Sequence, residues 1–109
     1  MKILIISDTH SHLDDRIISF SEKVDEIWHA GDIGSKDVIE LLEKKNKVNV
    51  VYGNIDDQKI RSLYKEYLYF FCEKISVLLI HIAGKPLYYN KKTKELIKKY
   101  KPKVLVCGH

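Results

Sequence analysis

The chain has 109 residues, a formal net charge of +4 and an apolar fraction of 45%. This length allows one domain, which we expect to span residues 1–109, and no apolar run is long enough to cross a membrane. Nucleic-acid binding is not expected either, because lysine supplies 17 of the 19 basic residues and base recognition favours arginine.

Cysteine usage and the start of the chain indicate a cytoplasmic protein. Cys72 and Cys107 both fall inside apolar runs, so we expect buried free thiols in a reducing compartment rather than a disulfide. The apolar residues after Met1 lack a basic leader and a small-residue cleavage site. They predict a strand and not a signal peptide.

Five apolar runs have the length and composition of buried strands. They lie at residues 2–7, 26–30, 48–52, 76–80 and 103–107. Strands that are separated by helices pair in parallel through right-handed crossovers, so a parallel sheet is predicted. A further apolar run, Tyr67–Cys72, is separated from Ile75–Ile80 by only two residues. These two runs predict a hairpin, which adds antiparallel character.

Three segments between the strands carry the signals of helices. The first helix follows the first strand, and the sequence leaves open whether Ser11 or Asp14 caps its start. The second begins after Ser35, which is predicted to be its N-cap. The third is predicted to run over Thr93–Tyr100 and to end before Pro102.

Each of the five runs leads into a side chain that binds hard metal ions. In open α/β sheets, ligands bind outside the carboxyl ends of the strands, so these side chains can converge despite their wide separation in sequence. They are Asp8, His10, Asp32, Asn54, His81 and His109. Carboxylate, imidazole and amide groups arranged in this way indicate a metal-dependent hydrolase.

Taken alone, each of these motifs has an ordinary structural explanation. Asp8–His10 and Gly31–Asp32 are common polar turns, and His81 could be a core histidine. His29, inside the second run, is interpreted as structural. Residues 88–90, in the loop after His81, could line a substrate pocket or form a plain loop.

Together, the motifs resemble the signature of the calcineurin-like metallophosphoesterases, in particular the small single-domain phosphodiesterases of bacteria and archaea. Their order is Asp-x-His, Gly-Asp, Gly-Asn-x-Asp, His and Gly-His. The most specific segments are Ser7–His10, Trp28–Asp32 and Tyr52–Asn54. The resemblance covers the whole chain. It implies an α/β fold in which two mixed sheets flanked by helices form an αββα sandwich, with a two-metal site at the strand ends.

The resemblance also implies a role for each candidate residue. The implied ligands are Asp8 and His10 for the first metal, Asp32 as a bridge, and Asn54, His81 and His109 for the second metal. Water held between the ions would lose a proton and attack phosphorus, with Asp32, Asn54 and His81 as the catalytic positions. Mn²⁺ is the expected metal, although Ni²⁺, Fe²⁺, Co²⁺ and Zn²⁺ also suit these ligands. The expected partner is a small phosphoester substrate.

The chain departs from the family pattern in two places. Ile55 stands where many relatives have a histidine that protonates the leaving group. Good leaving groups should therefore be favoured, unless His12 or a bound water supplies the proton, and the role of Asp56 is open. The family's last motif is Gly-His-x-His, and this sequence ends at His109. The second histidine and the C-terminal strands are expected to be missing, which predicts an uncovered sheet edge and a homo-oligomer.

Three functions compete on these observations. The first is a metal-dependent phosphodiesterase, or its amino-terminal two-thirds. The second is a non-catalytic scaffold or inactive remnant on the same fold, which the missing histidine favours and the intact ligands argue against. The third, a nucleotide-binding domain, is disfavoured because no glycine-rich phosphate loop follows the first strand.

Overall fold

The computed structural model describes residues 1–85 and 88–108. The strands are β1 (Ile3–Ile6), β2 (Glu26–His29), β3 (Lys47–Val50), β4 (Tyr67–Cys72), β5 (Ile75–Ile80), β6 (Gly84–Lys85), β7 (Tyr88–Tyr89) and β8 (Val104–Val106). The helices are α1 (Asp15–Ser21), α2 (Lys36–Glu43), α3 (Gln58–Leu63) and α4 (Lys91–Tyr100). This order confirms the predicted alternation and adds α3 and the short β6–β7 pair. Over the described ranges, no helix is long and apolar enough to span a membrane.

Short polar side chains begin the helices. Asp14 is the N-cap of α1, where its carboxylate accepts a hydrogen bond from the amide of Ile17 at 2.9 Å, so Asp14 and not Ser11 starts this helix. Ser35 caps α2 as predicted. Asn90 caps α4, which therefore begins two residues before the predicted start at Thr93. Each cap satisfies a backbone amide that has no partner within its helix.

The strands form two main sheets of different character. The first has the order β1-β2-β3, and both of its pairs are parallel because a helix joins each strand to the next. The second has the order β4-β5-β8, in which β4 and β5 are antiparallel and β5 and β8 are parallel. Glu73 and Lys74 turn the β4–β5 hairpin with φ of 48° and 72°, as a tight two-residue turn requires. The predicted hairpin is confirmed.

Three apolar clusters fill the spaces between four layers. The first, around Ile27, packs α2 and α3 on the outer face of the first sheet. The second lies between the sheets, where the ring of Trp28 meets that of Phe70 edge to face with centroids 5.1 Å apart. The third joins Leu78 of β5 to Leu96 of α4. This confirms an α/β fold with two sheets flanked by helices, the predicted αββα sandwich.

Two outer strands lie on the same side of the sandwich. Gly108, just beyond β8, is so close to Ser7, just beyond β1, that a Cβ on the glycine would lie 2.7 Å from the Ser7 Cβ. Ile5 on β1 is 50% exposed and Val104 on β8 is 39% exposed. The described residues therefore leave apolar side chains of both edge strands open to solvent. Self-association through these edges stays a prediction.

The two thiols differ in exposure. Cys72 is half-buried and Cys107 is exposed, and both are free. The prediction of a buried thiol is wrong for Cys107, because β8 ends at Val106 and the next residue lies outside the packed layers.

Candidate metal centre

The loops that follow β1 and β2 are held together by backbone hydrogen bonds. The amides of Asp8, His10 and Ser11 donate to the carbonyls of residues 31, 32 and 33 at 2.9, 3.2 and 2.8 Å. Four non-glycine residues of this pair of loops have positive φ: 54° at Asp8, 47° at His10, 72° at Ser11 and 59° at Asp32. Such conformations are costly and persist where the surroundings enforce them, often at functional sites.

Three predicted ligands converge beyond the strand ends. One ligand atom from each of Asp8, Asp32 and His81 lies within 4.8 Å of the other two. Asp32 and His81 are 4% and 2% exposed, whereas Asp8 opens towards solvent. Two carboxylates and an imidazole at this separation form a candidate metal site in the described part of the chain.

The ring of His81 is oriented in the way that metal ligands are. Its Nδ1 lies 2.6 Å from the carbonyl oxygen of Ala30. Because a carbonyl oxygen can only accept, Nδ1 carries the hydrogen, and the lone pair of a neutral ring is then on Nε2. That atom faces Oδ2 of Asp32 at 3.1 Å. Two acceptors in this position require a cation between them, either a proton or a metal ion.

The distance between these two atoms also fits a shared ion. Nitrogen and carboxylate oxygen ligands bind divalent metals at about 2.1 Å, so two such ligands at a right angle are about 3 Å apart. The 3.1 Å between His81 Nε2 and Asp32 Oδ2 agrees with that separation.

Glycines allow the backbone to approach the two central ligands. A Cβ on Gly31 would lie 2.7 Å from the His81 ring, and Gly31 itself has a φ of 99°. A Cβ on Gly53 would overlap Oδ1 of Asp32. Any larger residue at either position would push Asp32 or His81 out of place, which explains the glycine in both motifs.

Asp8 is held in its charged form. Burial acts to raise its pKa, but hydrogen bonds with the Ser7 and Asp32 side chains and the nearby His81 and His10 rings outweigh that effect. The pKa of Asp8 therefore lies below its ordinary value of 3.8. The Ser7 hydroxyl donates to Oδ2 of Asp8 at 2.7 Å, and His10 Nε2 lies 3.8 Å from Oδ1. The carboxylate is thus charged and available to a cation at neutral pH.

Asn54 is presented by a loop that α3 holds in place. The amide of Ile55 donates to Oδ1 of Asp32 at 3.1 Å, which ties this loop to the centre. The guanidinium of Arg61 donates to the carbonyls of Asp56 and Asn54 at 2.9 and 3.1 Å. Neither helix α3 nor the role of Arg61 was predicted from the sequence. The available signal was Asp57, which caps α3 by accepting from the amide of residue 60.

Asp56, whose role the sequence left open, joins two motif loops. Its buried carboxylate accepts from the amides of Ile33, Gly34 and Gly53 at 3.1, 2.9 and 2.8 Å. One carboxylate shared by three backbone amides, two of them buried and that of Gly34 partly buried, fixes the β2 loop against the β3 loop. Asp56 therefore supports the site rather than lining it.

His29 is structural, as interpreted from the sequence. Its Nδ1 accepts from the amide of Gly31 at 3.2 Å, so its Nε2 donates to the Thr9 hydroxyl at 3.0 Å. Thr9 in turn donates to the carbonyl of Ile33. Burial lowers the pKa of His29 to about 4, against the opposing influence of the Asp56 and Asp8 charges. The ring is neutral and both of its nitrogens are occupied.

The remaining predictions concern His109 and residues 88–90. His109 lies outside the described residues. A cavity of about 460 Å³ opens beside Gly53, Asn54 and His81. Asn90 is in its wall, whereas Tyr88 is 78% exposed, so one of residues 88–90 lines a pocket.

The comparison with protein families decides the classification. A family model, the calcineurin-like phosphoesterase superfamily domain, matches residues 1–109. The chain belongs to this superfamily. The family resemblance drawn from the motifs is therefore confirmed. No protein of curated function matches the sequence at a significant level.

Solved structures share the fold. A Thermotoga maritima protein studied by NMR is 26% identical, with a TM-score of 0.76 over 99% of this chain and 72% of its own. An archaeal phosphodiesterase is 24% identical, with a TM-score of 0.71 over 96% of this chain and 70% of its own. Wild-type Vps29 from Entamoeba histolytica in complex with Zn²⁺ is 14% identical, with a TM-score of 0.73 over 98% of this chain. The chain spans 63% of the length of that Vps29.

Proposed function

We propose that the protein is a metal-dependent phosphodiesterase that uses two divalent ions. The observation that carries the proposal is the pairing of His81 and Asp32. A histidine whose Nδ1 donates to a carbonyl, and whose Nε2 faces a buried carboxylate at 3.1 Å, is oriented in the way that metal-ligating histidines are, with a second ligand beside it.

The proposed ligands follow the assignment that the family resemblance implies. They are Asp8 and His10 for one ion, Asp32 for both, and Asn54, His81 and His109 for the other. When bound, the ions supply Lewis acidity and lower the pKa of coordinated water towards neutrality. Mn²⁺ is the proposed metal, since oxygen and imidazole ligands without thiolate suit it. The proposed compartment is the cytoplasm, in keeping with two free thiols.

The chain's own residues would keep a metal ligand charged and would determine which leaving groups can depart. Asp8 is charged at neutral pH, and Ser7 fixes one of its oxygens. Ile55 is 49% exposed and has no proton to give, so the leaving group would depart largely unprotonated unless His12 or a bound water supplies the proton. Diesters with good leaving groups are therefore the proposed substrates.

The test uses protein that has been stripped with a chelator and reloaded with Mn²⁺. We expect hydrolysis of bis(p-nitrophenyl) phosphate, with little turnover of p-nitrophenyl phosphate. His81→Asn should abolish turnover, and Asp15→Asn, at an exposed position of α1, should leave it unchanged. A clear preference for the monoester, or full activity in His81→Asn, would show the proposal to be wrong.

A non-catalytic scaffold is the second candidate. The Vps29 structures share this fold. In addition, Ile55 stands at the position where many relatives have the histidine that protonates the leaving group. A scaffold has no physical need of the His81–Asp32 pair, which is why we place it second. Tight metal binding without turnover of any phosphodiester would favour it.

A further inference from the structure

The lining of the cavity beside the candidate centre contains two unlike groups of residues. Gly53, Asn54 and His81 belong to the loops of the centre, whereas Arg61, Lys91 and Lys92 are cationic. A ligand that fills this cavity would therefore touch both candidate metal ligands and cationic side chains.

The charge of the lining is strongly positive. Three cationic side chains face a single carboxylate, that of Glu66, whose Oε1 lies 3.3 Å from the Lys92 ammonium group. Arg61 has its guanidinium carbon 5.1 Å from the centre of the Tyr52 ring and donates to carbonyl oxygens. Neither contact neutralises it. About two positive charges on the wall are left without an opposing carboxylate.

Both cationic elements are fixed relative to the centre. Arg61 is bonded to the Asn54 loop. Lys91 and Lys92 form the first turn of α4, whose N-cap Asn90 donates through its side chain to the carbonyl of Ile82, one residue beyond His81. These hydrogen bonds hold the Arg61 guanidinium and the backbone of the first turn of α4 close to the loops of the centre, while the lysine side chains themselves are exposed.

We propose that this cavity binds a second phosphate of the substrate. The substrates would be phosphodiesters in which one ester arm, the size of a nucleoside, carries a further phosphate group. A cavity of about 460 Å³ lies in the range of small-molecule sites, about 300–1,000 Å³. Arginine and lysine together suit phosphate, through paired N–H groups and a point charge. This proposal rests on the proposed function, since it assigns the substrate of the same centre.

Two matched probes test it: thymidine 5′-(p-nitrophenyl phosphate), and the same compound with a 3′-phosphate. In both, the oxygen of water forms the new bond to phosphorus, one proton of that water is released to solvent, and p-nitrophenolate leaves with the electron pair of the broken P–O bond. Only the second probe carries an additional phosphate group that can bind in the cavity. We expect a kcat/KM at least about tenfold higher for the 3′-phosphorylated probe at low salt.

Two double variants on the same helix separate the cavity from net charge. Lys91→Gln with Lys92→Gln should remove most of the preference for the 3′-phosphate. Lys94→Gln with Lys98→Gln lowers the net charge equally, at exposed positions of α4 outside the cavity lining, and should keep the preference. Equal turnover of both probes by the unmodified protein, or a preference that survives in the Lys91/Lys92 variant, would overturn the proposal while leaving phosphodiesterase activity established.

If neither probe is hydrolysed, a binding measurement tests whether the cavity is a phosphate site. In that case the proposed function fails, and calorimetric titration with thymidine 3′,5′-bisphosphate and thymidine 5′-monophosphate tests the cavity alone. Tighter binding of the bisphosphate that is lost in the Lys91/Lys92 variant supports the cavity as a phosphate site. Equal affinity for the two nucleotides overturns it.

Discussion

Two buried histidines lie at the carboxyl ends of strands and have different roles: His29 is the last residue of β2, and His81 directly follows β5. His29 uses both ring nitrogens inside the protein, one as acceptor from Gly31 and one as donor to Thr9. His81 uses one nitrogen to fix its ring on Ala30 and turns the other towards a carboxylate. Burial is almost equal, at 0% and 2% exposure. What separates a structural histidine from a candidate ligand is therefore the partner of its second nitrogen.

The largest expected effect comes from the carboxylate that faces His81. Asp32→Asn removes the charge proposed to be shared by two ions, and so raises their mutual repulsion. Asp32→Asn should cost more metal affinity than Asn54→Ala. The loss should also exceed the roughly 10- to 100-fold that follows from removing a group that only hydrogen-bonds to a metal ligand. Bound metal per chain, measured after dialysis against Mn²⁺, checks this. If Asn54→Ala loses as much, Asp32 is not the bridge.

Replacing each histidine in turn tests directly whether His29 and His81 have different roles. His81→Asn should lose bound metal and activity while keeping most of its stability. His29→Asn should retain metal at saturating concentration but unfold more easily, by about 1–3 kcal/mol, because the Gly31 amide and Thr9 hydroxyl lose buried partners. Metal analysis and urea unfolding on both variants measure the two effects. Identical profiles would show that the ring contacts do not distinguish the two roles.

Acid should destabilise the protein through His29. Its folded pKa of about 4 is below the ordinary 6.5, so between these values the unfolded chain binds a proton that the folded chain does not. Stability is thus full above pH 6.5 and falls as the pH is lowered to 4. The total loss is about 3 kcal/mol.

Unfolding in urea at pH 7 and at pH 4.5, on metal-free protein, measures this loss. The His29→Asn variant is the matched control, because the carboxylates that also titrate remain in it. The variant should lose less stability on acidification than the unmodified protein. An equal loss in both would assign the acid sensitivity to other groups.

A smaller effect is expected from the second buried carboxylate, Asp56. Unlike Asp32, it accepts only from amides, so Asp56→Asn should cost about 1–3 kcal/mol of stability with little change in metal stoichiometry. The neighbouring Asp57→Asn is the control, because asparagine caps a helix about as well as aspartate. Thermal unfolding with and without Mn²⁺ compares them. Loss of metal from Asp56→Asn at saturating Mn²⁺ would place Asp56 inside the centre.

The sequence predicted the features that depend on local pattern. Apolar runs, the Glu73–Lys74 turn and the Ser35 cap are all written in short stretches of chain, and the motifs at the strand ends identified the family. The convergence of Asp8, Asp32 and His81 followed from one general rule about parallel sheets.

Features that depend on contacts between distant segments could not be predicted. Helix α3 has only six residues, too few for a clear apolar period. Its Arg61 reaches the Asn54 loop only once β3 and α3 are packed. The role of Asp56 depends on amides more than twenty positions earlier in the chain. The two nitrogens of a histidine have no sequence signature, so the sequence could assign His29 and His81 different roles but could not give the partners of their ring nitrogens.

The carboxylate of Asp56 also sets how the site can open. The amides of Ile33, Gly34 and Gly53 all donate to that one carboxylate, so a movement that withdraws the carboxylate releases the amides of both loops together. Hydrogen exchange at these three amides should therefore report one shared opening event with a single free energy. The two loops that carry candidate ligands would then open and close cooperatively. Metal would enter or leave a site that is either wholly formed or wholly open.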